Sequence, residues 1–156
     1  MSPIRVLVLN GPSLDQLGRR EPELYGTATL DEILARLAAV AAALGVELSH
    51  TQSSHEGALI DAIHEARRAG VAGAVVNAAA YTHTSVALRD ALLSAALPFV
   101  EVHLSNVWRR EAFRHVSLLS DVAVGIVAGF GPASYELALR GLIEHLLGGA
   151  SGSPEV

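Results

Sequence analysis

The sequence contains no cysteine. No disulfide frame, thiol nucleophile or thiolate zinc site can be built from it. It contains no lysine either, since all 11 basic residues are arginine. That excludes Schiff-base chemistry on a side chain, pyridoxal-phosphate enzymology and the Walker P-loop, each of which needs an amine. Basic residues are outnumbered by 16 acidic ones, for a net charge of −5, which disfavours nucleic acid as a partner. No apolar run approaches the ~18 residues of a membrane span. The first run, Ile4 to Leu9, is short and ends at Asn10-Gly11-Pro12, so neither a signal peptide nor a membrane partner is expected and the cytoplasm is the default location.

What is present is apolar material in short pieces. Hydrophobic residues make up 51% of 156 residues and mean hydropathy is +0.38. That is ample for a core and for a subunit interface, and the length predicts a single domain over 1–147 with a flexible Gly-, Ser- and Pro-rich tail over 148–156. Ile4–Leu9 reads as a buried strand. Gly11 to Ala28 reads as a long loop without secondary structure of its own. Thr29 and Glu32 form a capping box opening a helix with Leu30, Ile33, Leu34, Leu37, Ala41 and Leu44 at helical spacing, stopped by Gly45. Val46–Thr51 is a second strand. A second capping box, Ser53 with Glu56, opens a helix with Leu59, Ile60 and Ile63 on one face and Gly70 as its stop. Ala72–Val76 is a third strand, followed by a helix from His83 or Thr84 to about Ala96. Pro98–His103 and Val122–Val127 are the fourth and fifth strands, and Gly131-Pro132 starts a last helix with Pro at N1. Gly129-Phe130-Gly131 is half a dinucleotide fingerprint and reads as a tight strand-to-helix turn.

Five strands alternating with helices predict a parallel sheet covered on both faces: a flavodoxin-like, doubly wound α/β/α fold of strand order 2-1-3-4-5. Ligands in such sheets bind at the carboxyl ends of the strands, so the segments after strands 1, 3 and 4 matter most. The first carries Arg19, Arg20 and Tyr25 in a candidate lid. The second, Asn77 to Ser85, sets Asn77 and His83 around an expected helix N-terminus, a natural anion site. In the third, Glu101 and His103 share one strand face, so the carboxylate can orient the imidazole. Arg110 and Arg114, four apart, are expected on one helical face where two guanidinium groups suit a carboxylate or phosphate. His55 and His64 are nine apart, on opposite faces of a helix, and no metal site is expected.

These residues sit in LNGPSLDQLGRREPELYG, QSSHEGALID, NAAAYTHTSVALRDAL, EVHLSN and RREAFRHVS. Over about Ile4 to Leu147 the chain resembles the type II 3-dehydroquinate dehydratases. The resemblance implies a flavodoxin-like fold and a cofactor-free, metal-free loss of water from 3-dehydroquinate, giving 3-dehydroshikimate in the shikimate pathway of aromatic amino-acid biosynthesis. It makes Tyr25 the base, as a tyrosinate favoured by Arg20, and His103 the acid that protonates the departing hydroxyl, oriented by Glu101. It places Asn77, His83, Leu104, Ser105 and Arg114 on the substrate carboxylate and hydroxyls, and has Asp90 reach a neighbouring subunit's site in trimers that assemble to a dodecamer. The missing lysine agrees, because the unrelated dehydroquinase class works through a Schiff base.

The chain departs from that pattern at several positions. Ser13 stands where the family has the Asn that holds a water against the enolate. Ala79 replaces a Gly, Trp108 stands where a His is common, and Ser134 replaces a Gly before Tyr135. These changes predict a slower reaction rather than its loss. Two other readings use the same pattern. A non-catalytic paralogue acting as a binding or scaffold protein rests on Ser13 and Ala79 and is opposed by Tyr25, Arg20 and His103. An electron carrier of the same fold would need a Ser/Thr-rich phosphate loop and flanking aromatics, whereas the loop is GPSLDQ and the chain has one Trp, three Tyr and three Phe.

Overall fold

A computed structural model describes residues 2–148. The expected tail lies outside the described residues except for Gly148, which ends the last helix. The strands are β1 (Ile4–Asn10), β2 (Val46–Gln52), β3 (Gly73–Asn77), β4 (Phe99–His103) and β5 (Gly125–Ala128). They form one parallel sheet of order β2-β1-β3-β4-β5, as the alternation predicts. The helices are α1 (Pro22–Tyr25), α2 (Leu30–Ala43), α3 (Glu56–Arg68), α4 (Val86–Ser94) and α5 (Ala133–Gly148).

Alternation along β1 divides the core. Val6 and Val8 join Ile33 and Leu37 of α2 and Leu139 and Leu142 of α5 on one face. Leu7 and Leu9 join Leu59 and Ile63 of α3 and Leu88 and Leu92 of α4 on the other. Each of these side chains is nearly or fully buried, worth roughly 1.5–3 kcal/mol apiece relative to exposure. No helix among the described residues is long and apolar enough to cross a membrane.

The sheet reverses direction of winding between β1 and β3. Their register pairs Asn10 with Asn77, which places two carboxamides side by side at the strand ends. Just beyond, the Gly11 N–H donates to the Asn77 carbonyl over 2.8 Å. A Cβ on Gly11 would collide with the Ala78 carbonyl group, so only glycine allows this approach.

Local signals hold unevenly. The Thr29–Glu32 capping box is complete in both directions. The second box does not form: α3 is N-capped by His55 without a side-chain bond, and the Ser53 hydroxyl accepts from the His55 N–H instead. The helix after β3 starts later than expected. A 3₁₀ turn spans Ala79–His83, and the Ser85 hydroxyl caps α4 by accepting from the Leu88 N–H. β5 also starts later, because Ser120–Val122 forms a 3₁₀ turn.

The long loop is not structureless. It holds a 3₁₀ turn at Leu14–Gln16 and the one-turn helix α1. Pro22 opens α1, and Gly26 closes it at φ 74° with its N–H on the Pro22 carbonyl. The segment buries Leu14, Leu17 and Tyr25 in the same cluster as Leu30, Leu104 and Tyr135.

Candidate active site

β4 carries two of the expected groups. Glu101 and His103 point to the same face, and the His103 Nε2–H donates to Glu101 Oε2 over 2.6 Å. Both residues are buried, Glu101 at 2% exposure. Such burial needs full hydrogen bonding, which the next segment supplies. The hydroxyls of Ser117 and Ser120 both donate to Glu101 Oε1, at 2.7 and 2.9 Å. Burial pushes the Glu101 carboxyl up; the bond and charge of His103, then the two hydroxyls, outweigh it and hold the group below the ordinary carboxylate value. His103 Nδ1 is left for a ligand.

His83, from the 3₁₀ turn after β3, stacks on His103 with ring centroids 6.5 Å apart. Its Nδ1–H donates to the Val116 carbonyl over 2.7 Å. Burial, partly opposed by that bond and reinforced by His103 and Arg114, lowers its pKa. A neutral ring with Nδ1 protonated presents Nε2 as an acceptor.

α1 brings Tyr25 to the same cavity as the two histidines. The Arg20 guanidinium lies 5.0 Å and that of Arg110 5.2 Å from the Tyr25 ring centroid. Arg110 and Arg114 do not share a helix: one follows the 3₁₀ turn Val107–Arg109 and the other ends the turn Ala112–Arg114. They reach one cavity all the same, because the two turns pack against each other. Arg114 is braced by Glu111 at 2.6 Å.

These side chains line one cavity of about 130 Å³, together with Ser13, Asn77, Ala79, Leu104 and Ser105. Of the expected site residues, Ser13, Arg20, Tyr25, Asn77, His83, His103, Leu104, Ser105 and Arg114 line it, and Glu101 lies behind His103. Asp90 is exposed on α4 and does not line it. The expected helix N-terminal anion site is not built, since Ser85 caps α4 and the 3₁₀ turn intervenes. Positive charge comes instead from three arginines. A larger opening, about 320 Å³, lies between β2 and α3. It offers Glu47, Glu65 and an Arg5 already bonded to the Ala69 carbonyl, without an imidazole or phenol. Among the described residues no group of three His, Cys, Asp or Glu could hold a metal.

Residues 4–143 match the family described as Dehydroquinase class II. The chain belongs to the class II dehydroquinases. It is 57% identical over 140 residues to a 3-dehydroquinate dehydratase of Bordetella avium, covering 90% of this chain and 97% of that one. It is 59% identical over 143 residues to the enzyme of that name from Prochlorococcus marinus, covering 92% and 95%. The crystal structure of a type II dehydroquinase from Butyrivibrio crossotus superposes with a TM-score of 0.89 at 41% identity, covering 92% of this chain and 99% of that one.

Two walls of this class II dehydroquinase's cavity are held in left-handed conformations. Ser13 sits at φ 68° and Ala79 at φ 51°. Asn and Gly tolerate such positions best. Trp108 lies outside the cavity, 5.2 Å from the His115 ring. Ser134 is fully buried, and its hydroxyl accepts from the Phe130 N–H, securing the Gly129–Gly131 turn.

Several contributors escape sequence reasoning. Arg110 lies over Tyr25 rather than beside Arg114 as its spacing predicts. Ser117 and Ser120 give no signal as carboxylate partners, because they approach Glu101 across 16 and 19 residues. Asn10 and Tyr135, bonded to each other at the floor of the site, give none either.

Proposed function

We propose that the chain dehydrates 3-dehydroquinate to 3-dehydroshikimate, with Tyr25 as base and His103 as acid. The observation that carries this reading is the meeting in one cavity of a phenol with two guanidinium groups over its ring and an imidazole backed by a buried carboxylate. The phenolate oxygen of Tyr25 takes the C2 proton next to the ketone. The electron pair moves into an enolate, whose oxygen takes the charge. Arg20 and Arg110 compensate the negative charge of the base. Ser13, whose hydroxyl makes no capping bond in its own turn, is free to hold a water against the enolate oxygen. The enolate then collapses, the C1–O bond breaks, and His103 Nδ1 gives its proton to the departing oxygen, which leaves as water. Exchange with solvent then removes the proton from Tyr25 and restores that of His103.

Arg114, His83, Asn77 and the Leu104–Ser105 backbone and side chain anchor the substrate's carboxylate and hydroxyls. Three arginines in one small cavity suit an anionic substrate. The chain works as a homo-oligomer, trimers that assemble to a dodecamer, in which Asp90 completes a neighbour's site. Support comes from α4: Val86 and Leu93 are exposed at 59% and 50%. They lie four residues before and three after Asp90, on the same helical face. An apolar face flanking a carboxylate fits an interface with an active-site duty. The product feeds the shikimate pathway, in the cytoplasm.

The deciding experiment is turnover of 3-dehydroquinate by the purified protein, followed by ultraviolet absorption of the conjugated product. Absence of turnover at millimolar substrate would leave the non-catalytic paralogue as the surviving account.

A further inference from the structure

At the floor of the site four side chains form a directional chain of hydrogen bonds across three strands and a helix. Its polarity is set at one end by a group that cannot reverse. The Ala79 backbone N–H donates to Asn77 Oδ1 over 3.2 Å. The Asn77 Nδ2 must then face Tyr135, and donates to its hydroxyl oxygen over 2.9 Å. The Tyr135 hydroxyl proton is therefore directed to Asn10 Oδ1, 2.6 Å away. That leaves Asn10 Nδ2 to donate to His50 Nε2 over 3.0 Å. Tyr135 and Asn10 are fully buried and Asn77 nearly so. Water does not replace a missing partner there without cost.

Each acceptor in this chain is matched to one donor. Reversing the Asn77 carboxamide would set its Nδ2 against the Ala79 N–H and its Oδ1 against a hydroxyl whose proton is committed to Asn10. Asn77 therefore has one free group to offer the cavity, the second N–H of its amide. We infer that Tyr135 is a positioning residue for the reaction: by accepting from Asn77 while donating to Asn10, it fixes Asn77 as a hydrogen-bond donor toward substrate oxygen. This rests on the reading of Asn77 as a substrate ligand. Burial also keeps the Tyr135 hydroxyl protonated, well above the ordinary phenol range despite the opposing Asn77 bond, so the direction of the chain does not change in the physiological range.

The test is steady-state kinetics of Tyr135→Phe, Asn77→Ala and the double variant, each checked by thermal melting. A positioning role predicts that Tyr135→Phe raises KM by about tenfold while kcat stays within about threefold, the signature of binding weakened equally in the ground and transition states. In the Asn77→Ala background the same change should add less than about twofold to KM, because its effect runs through that amide. A merely structural role would lower the melting temperature and leave KM alone. If Tyr135→Phe does not fold, Asn10→Ala serves in its place. It frees the Tyr135 proton to turn on Asn77, and the same KM rise is expected. Unchanged KM in a folded Tyr135→Phe or Asn10→Ala, alongside a raised KM in Asn77→Ala, overturns the positioning role and spares the substrate reading. Unchanged KM in Asn77→Ala overturns both.

Discussion

Replacing Ser13 by Asn should make the enzyme both faster and more stable, and the two gains have separate structural origins. Ser13 adopts φ 68°, ψ −2° and its hydroxyl makes no bond within the turn it precedes. A left-handed conformation costs an ordinary L-residue about 1–2 kcal/mol. Asn is several-fold enriched there, which converts to somewhat under 1 kcal/mol in its favour. For a chain of this length that predicts a rise in Tm of about 1–3 °C. The kinetic gain comes from reach. Losing an oxyanion donor outright costs ~10²–10³ in kcat. In the proposed role the Ser13 hydroxyl would make only part of that contact, so an amide there should gain about one ordinary hydrogen bond, ~0.5–1.5 kcal/mol, or about two- to tenfold in kcat. KM should move little, since the contact strengthens as the enolate forms. The competing account is that the Ala79 methyl, held at φ 51° on the same cavity wall, blocks the larger side chain. Steady-state kinetics of Ser13→Asn, Ala79→Gly and the pair separate the two. A gain in the single variant supports the water-holding role of Ser13, and a gain confined to the pair supports the steric account. No gain in either would refute the reasoning about Ser13.

Tyr25→Phe should lower kcat by ~10²–10⁴ with little change in binding; retention of more than about a tenth of the rate contradicts its role as base. Asp90→Ala and Tyr25→Phe chains should each be nearly inactive, yet mixing them through unfolding and reassembly should restore about a quarter of wild-type activity if Asp90 acts across a subunit boundary. No recovery, or a fully active monomer by light scattering, would sink that assignment. Acid should destabilise the protein in two windows. His83, held neutral below its ordinary pKa, makes stability fall as pH drops below roughly 6.5, where the unfolded chain gains a proton that the folded chain does not. Glu101, held low, contributes stability that is complete above the ordinary glutamate value of about 4.3 and is lost as pH falls through its lowered value. Urea midpoints across the range should show the lower window shrink in Glu101→Gln; an unchanged profile would contradict the charged state of that carboxyl.

Periodic and strictly local features of the fold can be read from the chain. The apolar run of β1, the Thr29–Glu32 box and the Gly45 and Gly70 stops act over a few residues, and period two alone puts Glu101 and His103 on one face. Ser53 has the residue type for a cap, but the β2 end delivers the chain so that its hydroxyl meets the His55 N–H first. The α1 turn is visible in principle, as Pro22 and Gly26 are its opening and closing signals, yet four residues are too few for periodicity to register. Arg110 is beyond such reasoning, because two separate 3₁₀ turns rather than one helix carry it and Arg114. Contacts such as Tyr135 to Asn10, 125 residues apart, depend wholly on how sheet and helix meet. Resemblance, rather than pattern, links Ser13, Leu104 and Ser105 to the site.

The packing of Tyr25 has a further cost for turnover. Its ring shares the core cluster with Leu14 and Leu17, all three buried at 9% exposure or less. A product that leaves by swinging this segment outward must expose three large apolar side chains, each worth roughly 1.5–3 kcal/mol. The exit is then a small local unfolding event, and the open form a scarce one at equilibrium. Shaving Leu17 to Ala, which touches no reacting atom, should loosen that latch: amide exchange across Leu14–Gly26 should quicken, and kcat should climb where release limits the cycle or fall where the base loses its seat.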